Sequence, residues 1–292
     1  MLKLPHFMII GAMKSATSSL QDQLIQQPGL FMCEPKEPNF FSDDEQYEKG
    51  LEWYSSLYNE FPANTLLGEA STHYTKLPTY PETVNRLAKD LTNIKYVYVM
   101  RHPIDRLISH YIHEWSMGNY KCDINEAITR YPELIAYSRY AMQIEPYFKK
   151  FGKLNVLPVF FDRLISQSEQ ELNRVCQFIG YKSKARWFSD LKAKNVSKKR
   201  IRKFPFYNIL VDSKLAELIR RTLVPKGVRN MIKAKLRMQN RPVLSAENLV
   251  RLEDTFNKDL SILSKLLNRE INCNNFKEIT MSESLEWVDD AA

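Results

Sequence analysis

The chain of 292 residues has few cysteines, and the four it has are scattered. Cys33, Cys122, Cys176 and Cys273 include no C-x-x-C pair, so we expect neither a disulfide framework nor a zinc site. The five histidines show no metal-ligand spacing. No apolar run approaches the roughly 20 residues that a membrane helix needs, and a strand begins by Phe7, which leaves no room for a signal peptide. These absences predict a metal-free, cytoplasmic protein.

Positive charge is concentrated in one segment. The net charge is +8, and residues 192–241 contain 16 Lys/Arg and 2 Asp/Glu, whereas the rest of the chain is mildly acidic. This segment either faces a polyanionic ligand, nucleic acid or an anionic membrane surface, or forms helices with solvated basic faces. Residues 276–292 form an acidic tail that we expect to be loosely ordered, because Trp287 is its only large anchor.

Short apolar runs alternate with helical patterns along the chain. The pattern predicts strands at 6–11, 66–69, 94–100 and 155–161, and helices near 17–27, 46–58, 81–90, 103–117, 138–151, 168–179, 207–222, 226–237 and 245–267. Such alternation predicts an α/β fold with a central, mainly parallel sheet flanked by helices, and a helical C-terminal extension. We expect residues 1–275 to form a single domain.

The first predicted strand runs into a turn that is suited to bind phosphate. Residues 7–20 read as a strand, a small-residue turn with Lys14, three hydroxyl residues (Thr17, Ser18 and Ser19) and a helix. Backbone N–H groups at a helix N-terminus, a lysine and hydroxyls together suit an anion. Lys14 follows Gly11 by only three residues, so this is not a Walker A loop. The alternative is an ordinary strand–turn–helix with a solvated lysine.

A second polar segment follows the strand at 94–100. Arg101 ends the strand, Pro103 suits the first turn of a helix, and Ser109 lies about two turns further on. Because the carboxyl ends of parallel strands share one edge of a sheet, this segment and the lysine turn can converge on one crevice. The alternative is a helix start at which Arg106 and Ser109 are merely exposed.

Several motifs resemble those of sulfotransferases that use 3′-phosphoadenosine 5′-phosphosulfate (PAPS). Residues 11–19 resemble the 5′-phosphosulfate loop, and residues 101–111 resemble the 3′-phosphate motif R-x-P-x-x-R-x-x-S-x-Y. Residues 36–41, 50–54 and 68–74 are similar to the K-E-x-x-F-F, G-x-x-W-Y and E-K-[ST]-x-x-Y segments of the heparan-sulfate-type and bacterial enzymes. The match covers about residues 5–205, with a family-like pattern at 245–271, and it implies a P-loop-like three-layer fold.

Two residues depart from the family pattern. Ala70 stands where many relatives have a lysine near the sulfuryl group, so that positive charge is missing. Ala16 stands where a glycine is common in the phosphosulfate loop. We expect the second replacement to matter little if the φ angle of residue 16 is negative.

The resemblance implies PAPS as the cofactor, no metal, and a defined set of site residues. Lys14 would neutralise charge on the leaving oxygen, and Glu37 would be the base, on a loop anchored by Phe40 and Phe41; Glu69 is the second candidate base and His73 the third. The acceptor would be a hydroxyl or amino group, with a carbohydrate favoured and a lipid, a small phenol or a peptide tyrosine left open. The implied cofactor-binding residues are Lys14, Ser15, Ala16, Thr17, Ser18, Ser19, Arg101, Ser109 and, in a basic closing loop, Lys198, Lys199 and Arg200.

Two other functions compete with this interpretation. A P-loop nucleotide kinase or NTPase would depend on magnesium, but Lys14 is misplaced for it and no clear apolar strand ends in a magnesium-binding aspartate. A polyanion or nucleic-acid binder would use residues 192–241, where Phe204, Phe206 and Tyr207 lie among the charges, and its binding would depend steeply on salt. We expect no specific nucleic-acid partner.

Overall fold

The computed structural model describes residues 2–58, 61–62, 64–191 and 240–288. These residues form a five-stranded parallel sheet in the order β2-β3-β1-β4-β5. The carboxyl ends of all five strands therefore lie at the same edge of the sheet, and β1 is the central strand. The strands are Phe7–Gly11 (β1), Leu30–Met32 (β2), Leu66–Ala70 (β3), Lys95–Met100 (β4) and Val156–Phe160 (β5).

Helices connect and cover the strands. None of the described helices is long and apolar enough to cross a membrane. In chain order they are Thr17–Ile25 (α1), Asp44–Tyr47 (α2), Gly50–Ser56 (α3), Thr83–Asp90 (α4), Pro103–Met117 (α5), Ile124–Arg130 (α6), Glu133–Ala136 (α7), Tyr140–Phe151 (α8), Phe161–Ser166 (α9), Ser168–Phe178 (α10), Ala246–Leu267 (α11) and Phe276–Ser282 (α12). A 3₁₀ turn at Thr72–Thr75 follows β3.

Each face of the sheet supports its own apolar cluster. Along β1, Met8 and Ile10 pack into one cluster, while Phe7 and Ile9 pack into the other. All five residues of β1 are buried, as expected for a strand covered on both faces. The predicted α/β fold with a parallel sheet between helical layers is confirmed.

The described part of the acidic tail differs from the loose arrangement that we expected. It forms α12, and Phe276 and Leu285 are buried in the core. The ring of Trp287 packs against Phe148, with 4.9 Å between the ring centroids. Burial of Phe276 and Leu285 and the partly buried ring of Trp287 outweigh the acidic composition, because a large apolar side chain contributes roughly 1.5–3 kcal/mol when fully buried. The helices predicted at 207–222 and 226–237 lie outside the described residues.

Candidate active site

The turn between β1 and α1 has an unusual backbone. Lys14 and Ala16 have φ angles of 72° and 65°, which lie in the left-handed region. The sequence-based expectation about Ala16 required a negative φ, and the structure contradicts that condition. A residue with a Cβ atom costs roughly 1–2 kcal/mol more than glycine in this region. The replacement therefore places strain in the candidate phosphate loop.

The N-terminus of α1 has the features of an anion site. Ala16 precedes the helix and has no side chain to cap it, and the first N–H groups of a helix have no intrahelical acceptor. Ser15 is fully buried, and its Oγ has no hydrogen-bond partner among the described residues. Thr17 is also buried, and Ser18 and Ser19 are half-buried. An orphaned hydroxyl beside uncapped N–H groups fits a phosphate group, so these residues are compatible with the 5′-phosphate of PAPS.

Arg101 brings the second predicted motif to the same turn. Its Nη1 donates a hydrogen bond to the carbonyl of Lys14 at 3.3 Å, and its guanidinium lies 4.5 Å from the centroid of the Phe161 ring. The hydroxyl of Tyr140 accepts from the Arg101 N–H at 3.2 Å and donates to the Arg101 carbonyl at 2.5 Å. The two segments thus converge as predicted. Tyr140 and Phe161 hold Arg101 in place, and the motifs do not indicate either residue.

The helix that carries Ser109 is fixed by a buried arginine. Arg106 is fully buried, its Nη2 donates to the carbonyl of Leu134 at 2.7 Å, and its Nε donates to the hydroxyl of Ser138. Burial lowers the pKa of Arg106 to about 10, so the guanidinium stays charged at neutral pH. Ser109 itself is only 6% exposed. The alternative in which Arg106 and Ser109 are simply exposed is therefore wrong, and Arg106 sets the orientation of α5.

Glu37 lies on a loop between β2 and α2 and points to the same edge of the sheet. Its N–H donates to the carbonyl of Ala70 at 3.2 Å, and the hydroxyl of Thr72 donates to its Oε1 at 3.5 Å. The Nζ of Lys36 lies 3.9 Å from the same oxygen and also donates to the hydroxyl of Ser18. Lys36 therefore connects the candidate base to α1. It lies in the K-E-x-x-F-F motif, which could have indicated it, but we did not predict it as a site residue.

The aromatic pair after Glu37 anchors the loop. Phe40 and Phe41 are fully buried, and Phe40 stacks on Tyr54 with 4.6 Å between the ring centroids. The loop is therefore fixed at its C-terminal side, while the carboxylate of Glu37 stays about one-third exposed, at 35%. A carboxylate on a fixed support with solvent access is suited to take a proton from a bound acceptor.

Comparison with known proteins identifies the family. Residues 4–237 match the sequence profile described as the sulfotransferase domain. The chain belongs to the sulfotransferase family. The resemblance inferred from the motifs is thereby confirmed, and the family does not favour the alternative P-loop kinase or polyanion binder.

Individual relatives share about one-third of their aligned residues with this chain. Mouse heparan sulfate glucosamine 3-O-sulfotransferase 3B1 is 32% identical over 192 residues, which are 62% of this chain and 47% of that protein. Membrane-associated sulfotransferase kil1 of Dictyostelium discoideum is 33% identical over 114 residues, 38% of this chain and 23% of that protein. The chain thus spans about half or less of the length of these curated relatives.

A solved structure confirms the fold. The sulfotransferase from Alicyclobacillus acidocaldarius has a TM-score of 0.65 at 21% identity, and the alignment covers 92% of this chain and 98% of that one. At this identity the likeness establishes the shared architecture of sheet and helices.

In the present chain, the second candidate base, Glu69, is placed differently from Glu37. Glu69 is fully buried at the end of β3, and the hydroxyl of Tyr54 donates to its Oε2. Burial raises the pKa of Glu69, and the hydrogen bond from Tyr54 opposes the shift. Glu69 is therefore fully enclosed in this arrangement, whereas Glu37 is about one-third exposed, so Glu37 stays the first candidate base and Glu69 the second.

The third candidate base, His73, lies in the 3₁₀ turn. Its ring stacks on Tyr80 with 4.8 Å between the centroids. Burial, aided by the positive charge of Lys76, lowers the pKa of His73 to about 4. The imidazole is therefore neutral at pH 7 and a weak base.

The remaining predicted residues fall elsewhere. Lys198, Lys199 and Arg200 lie outside the described residues. Within the part of the chain that the structure describes, no group of three or more histidine, cysteine, aspartate or glutamate side chains is arranged to hold a metal ion.

Proposed function

We propose that this chain transfers a sulfuryl group from PAPS to a hydroxyl or amino group of a carbohydrate. The observation that carries the proposal is the hydrogen bond from Arg101 to the carbonyl of Lys14 at 3.3 Å, which joins the two phosphate motifs of the family in one site. Family membership supports the reaction, and the heparan sulfate enzymes among the relatives support a glycan acceptor. The cytoplasmic location and the roles of residues 198–200 stay predictions.

The donor-binding residues divide into two groups. The uncapped N-terminus of α1, with Ser15 and the hydroxyls of residues 17–19, would hold the 5′-phosphate. Arg101 and Ser109 would hold the 3′-phosphate, and arginine suits this because its planar guanidinium donates two parallel hydrogen bonds to phosphate oxygens. Contact with Phe161 and the two hydrogen bonds of Tyr140 limit the positions that Arg101 can take.

The chemistry divides between a cation and a base. PAPS supplies a sulfuryl group bonded to a phosphate leaving group. Lys14 would stabilise the negative charge that grows on the bridging oxygen as the S–O bond breaks. Glu37 would accept the proton of the acceptor hydroxyl or amine as the new bond to sulfur forms. Lys36 contacts both Glu37 and Ser18, so it would hold the base in register with the donor site.

A nucleotide-binding experiment tests this proposal. Calorimetry should show that 3′-phosphoadenosine 5′-phosphate (PAP) binds far more tightly than 5′-AMP. Each charge-assisted hydrogen bond to phosphate is worth about 1.5–3 kcal/mol, so the ratio should be at least about tenfold. Arg101→Met should remove most of the preference, whereas the exposed-residue variant Arg251→Met should keep it. Equal affinities of the wild type for both nucleotides would refute the 3′-phosphate assignment.

A transfer assay tests the reaction itself. Labelled PAPS, incubated with a panel of glycans, lipids and phenols, should label a glycan without added magnesium. Magnesium-dependent transfer of phosphate from ATP would instead establish the kinase alternative.

A further inference from the structure

Lys76 follows the 3₁₀ turn at Thr72–Thr75, and its backbone is held on both sides. Before it, the hydroxyl of Thr75 donates to the carbonyl of Ile10 at 2.8 Å. After it, the side-chain amide of Gln143 accepts from the N–H of Leu77 at 2.7 Å and donates to the Leu77 carbonyl at 2.9 Å. The position of Lys76 is therefore fixed relative to the end of β1 and to α8.

The close contact of the turn with β1 also requires glycine at the end of that strand. Gly11 has a φ of 152°, and a Cβ atom on it would lie 1.9 Å from the hydroxyl oxygen of Thr75. The start of the phosphate loop, at Gly11, thus packs directly against the end of the turn, at Thr75, which Lys76 follows. Displacing either of them would displace the other.

The ammonium group of Lys76 is half-buried and poorly compensated. Its Nζ makes no hydrogen bond or ion pair with any described residue, and the ring of Tyr137 is 5.8 Å away. Burial lowers the pKa of Lys76 to about 8, while the negative charges of Glu37 and Glu114 raise it and the charge of Arg106 lowers it further. At pH 7 most molecules therefore carry a charged ammonium group without a direct partner.

Among the described residues, no carboxylate lies within ion-pair distance of Lys76, and Glu37 and Glu114 act on its charge only from farther away. His110 stacks on Tyr137, and burial holds its pKa well below the ordinary value, so its imidazole is neutral. His73 is neutral as well. Glu114 lies 3.6 Å from His110 and beyond ion-pair distance of Lys76. An anion at the ammonium group would therefore gain a charge-assisted interaction at a site that is already partly desolvated.

The position of Lys76 relative to the base indicates which molecule would bring that anion. The 3₁₀ turn begins with Thr72, whose hydroxyl donates to Glu37, and ends immediately before Lys76. Within five residues, the turn therefore presents a contact to the candidate base and a cation that makes no direct ion pair with a described residue. The donor phosphates are assigned to other residues, at the N-terminus of α1 and at Arg101.

We propose that Lys76 binds an anionic group, a carboxylate or a sulfate, of an acidic sugar acceptor and so positions the acceptor hydroxyl or amine at Glu37. The proposal deepens the proposed function and rests on it. Lys76 would then supply a positive charge on the acceptor side of the site, in a chain that has Ala70 where many relatives have a lysine.

Binding of heparan sulfate oligosaccharides to the PAP-saturated protein tests the proposal. We expect Lys76→Met to weaken this binding at least about tenfold and Lys76→Arg to restore most of it. The control Lys149→Met removes an exposed lysine of α8, so it reports the nonspecific effect of losing one charge and should change the affinity little. Carboxyl-reduced and desulfated oligosaccharides distinguish the two anions: the probe without the contacted group should bind the wild type and Lys76→Met equally.

The pH dependence of oligosaccharide binding distinguishes direct contact with the ligand from a purely structural role of Lys76, which would leave that dependence unchanged. The affinity of the wild type should fall as the pH rises above 8, and that of Lys76→Arg should not. Equal affinity of the wild type and Lys76→Met, or no binding of the oligosaccharides to the wild type, would overturn the proposal. PAP affinity, which all variants should share, reports whether the donor site is intact, and transfer from labelled PAPS to any glycan of the panel separates these failures from that of the proposed function.

Discussion

Replacing Glu37 by glutamine isolates the proposed proton transfer. Glutamine has the same shape, the N–H of residue 37 can still donate to Ala70, and the amide oxygen can still accept from Thr72. The buried Phe40 and Phe41 continue to anchor the loop. The variant therefore loses a negative charge and the ability to accept a proton, and little else.

The structure allows these two losses to be separated by size. Lys36 and Glu37 are 32% and 35% exposed and 3.9 Å apart, so their ion pair is worth about 0–1 kcal/mol, or at most about fivefold in rate. Loss of a general base typically costs about 10²–10⁴ in rate, which corresponds to about 2.7–5.5 kcal/mol. A loss of a hundredfold or more is therefore attributable to the base and not to the ion pair.

The assay is single-turnover transfer from labelled PAPS, with PAP affinity and the melting temperature measured on the same samples. Glu37→Gln should keep the PAP affinity and the melting temperature of the wild type, and its transfer rate should fall at least about a hundredfold. Glu34→Gln, an exposed carboxyl in the same loop, is the matched control and should remain active. A rate within fivefold of the wild type would limit Glu37 to pairing with Lys36. An inactive Glu69→Gln beside an active Glu37→Gln would identify the other carboxyl as the base.

Two further substitutions test the electrostatics. Lys14→Ala should lower kcat by a larger factor than it weakens PAP binding, because charge on the leaving oxygen develops only during transfer; an unchanged kcat with a raised KM for PAPS would contradict this. For Glu69, burial raises the pKa above its ordinary value of 4.5, so the folded protein holds the proton more tightly than the unfolded chain. The free energy of unfolding of the wild type should therefore fall relative to that of Glu69→Gln as the pH rises above 4.5, and a constant difference between their urea midpoints would refute the reasoning.

The sheet was largely predictable from the sequence because its strands are buried on both faces. Four strands read as short apolar runs, and their bounds are confirmed to within about two residues. Leu30–Met32 was missed because three residues are too few to show a period. Helix α6 was also missed, although Asp123 marks its start: the carboxylate accepts from the N–H groups of Asn125 and Glu126 at 2.7 and 3.1 Å.

Residues that act through distant contacts were not predictable. Arg106 reads as an exposed residue of an amphipathic helix, but the structure buries it beneath the segment that follows α7. Tyr140 lies 39 positions from Arg101, and no motif connects them. Local patterns report the period of a helix, whereas these side chains depend on which segment packs against it.

The two halves of the site differ in how they can be read from sequence, and the difference is physical. A phosphate group is held largely by consecutive backbone N–H groups and hydroxyls at one helix N-terminus, so its site is a contiguous motif. The proposed acceptor side would instead be assembled from Glu37 on a loop, Thr72 and Lys76 around a 3₁₀ turn, and Tyr137 beyond α7. Its charge can therefore be moved from one chain position to another while the fold is preserved. Lys76, in a chain whose residue 70 is alanine, would be one such charge on the acceptor side that we propose.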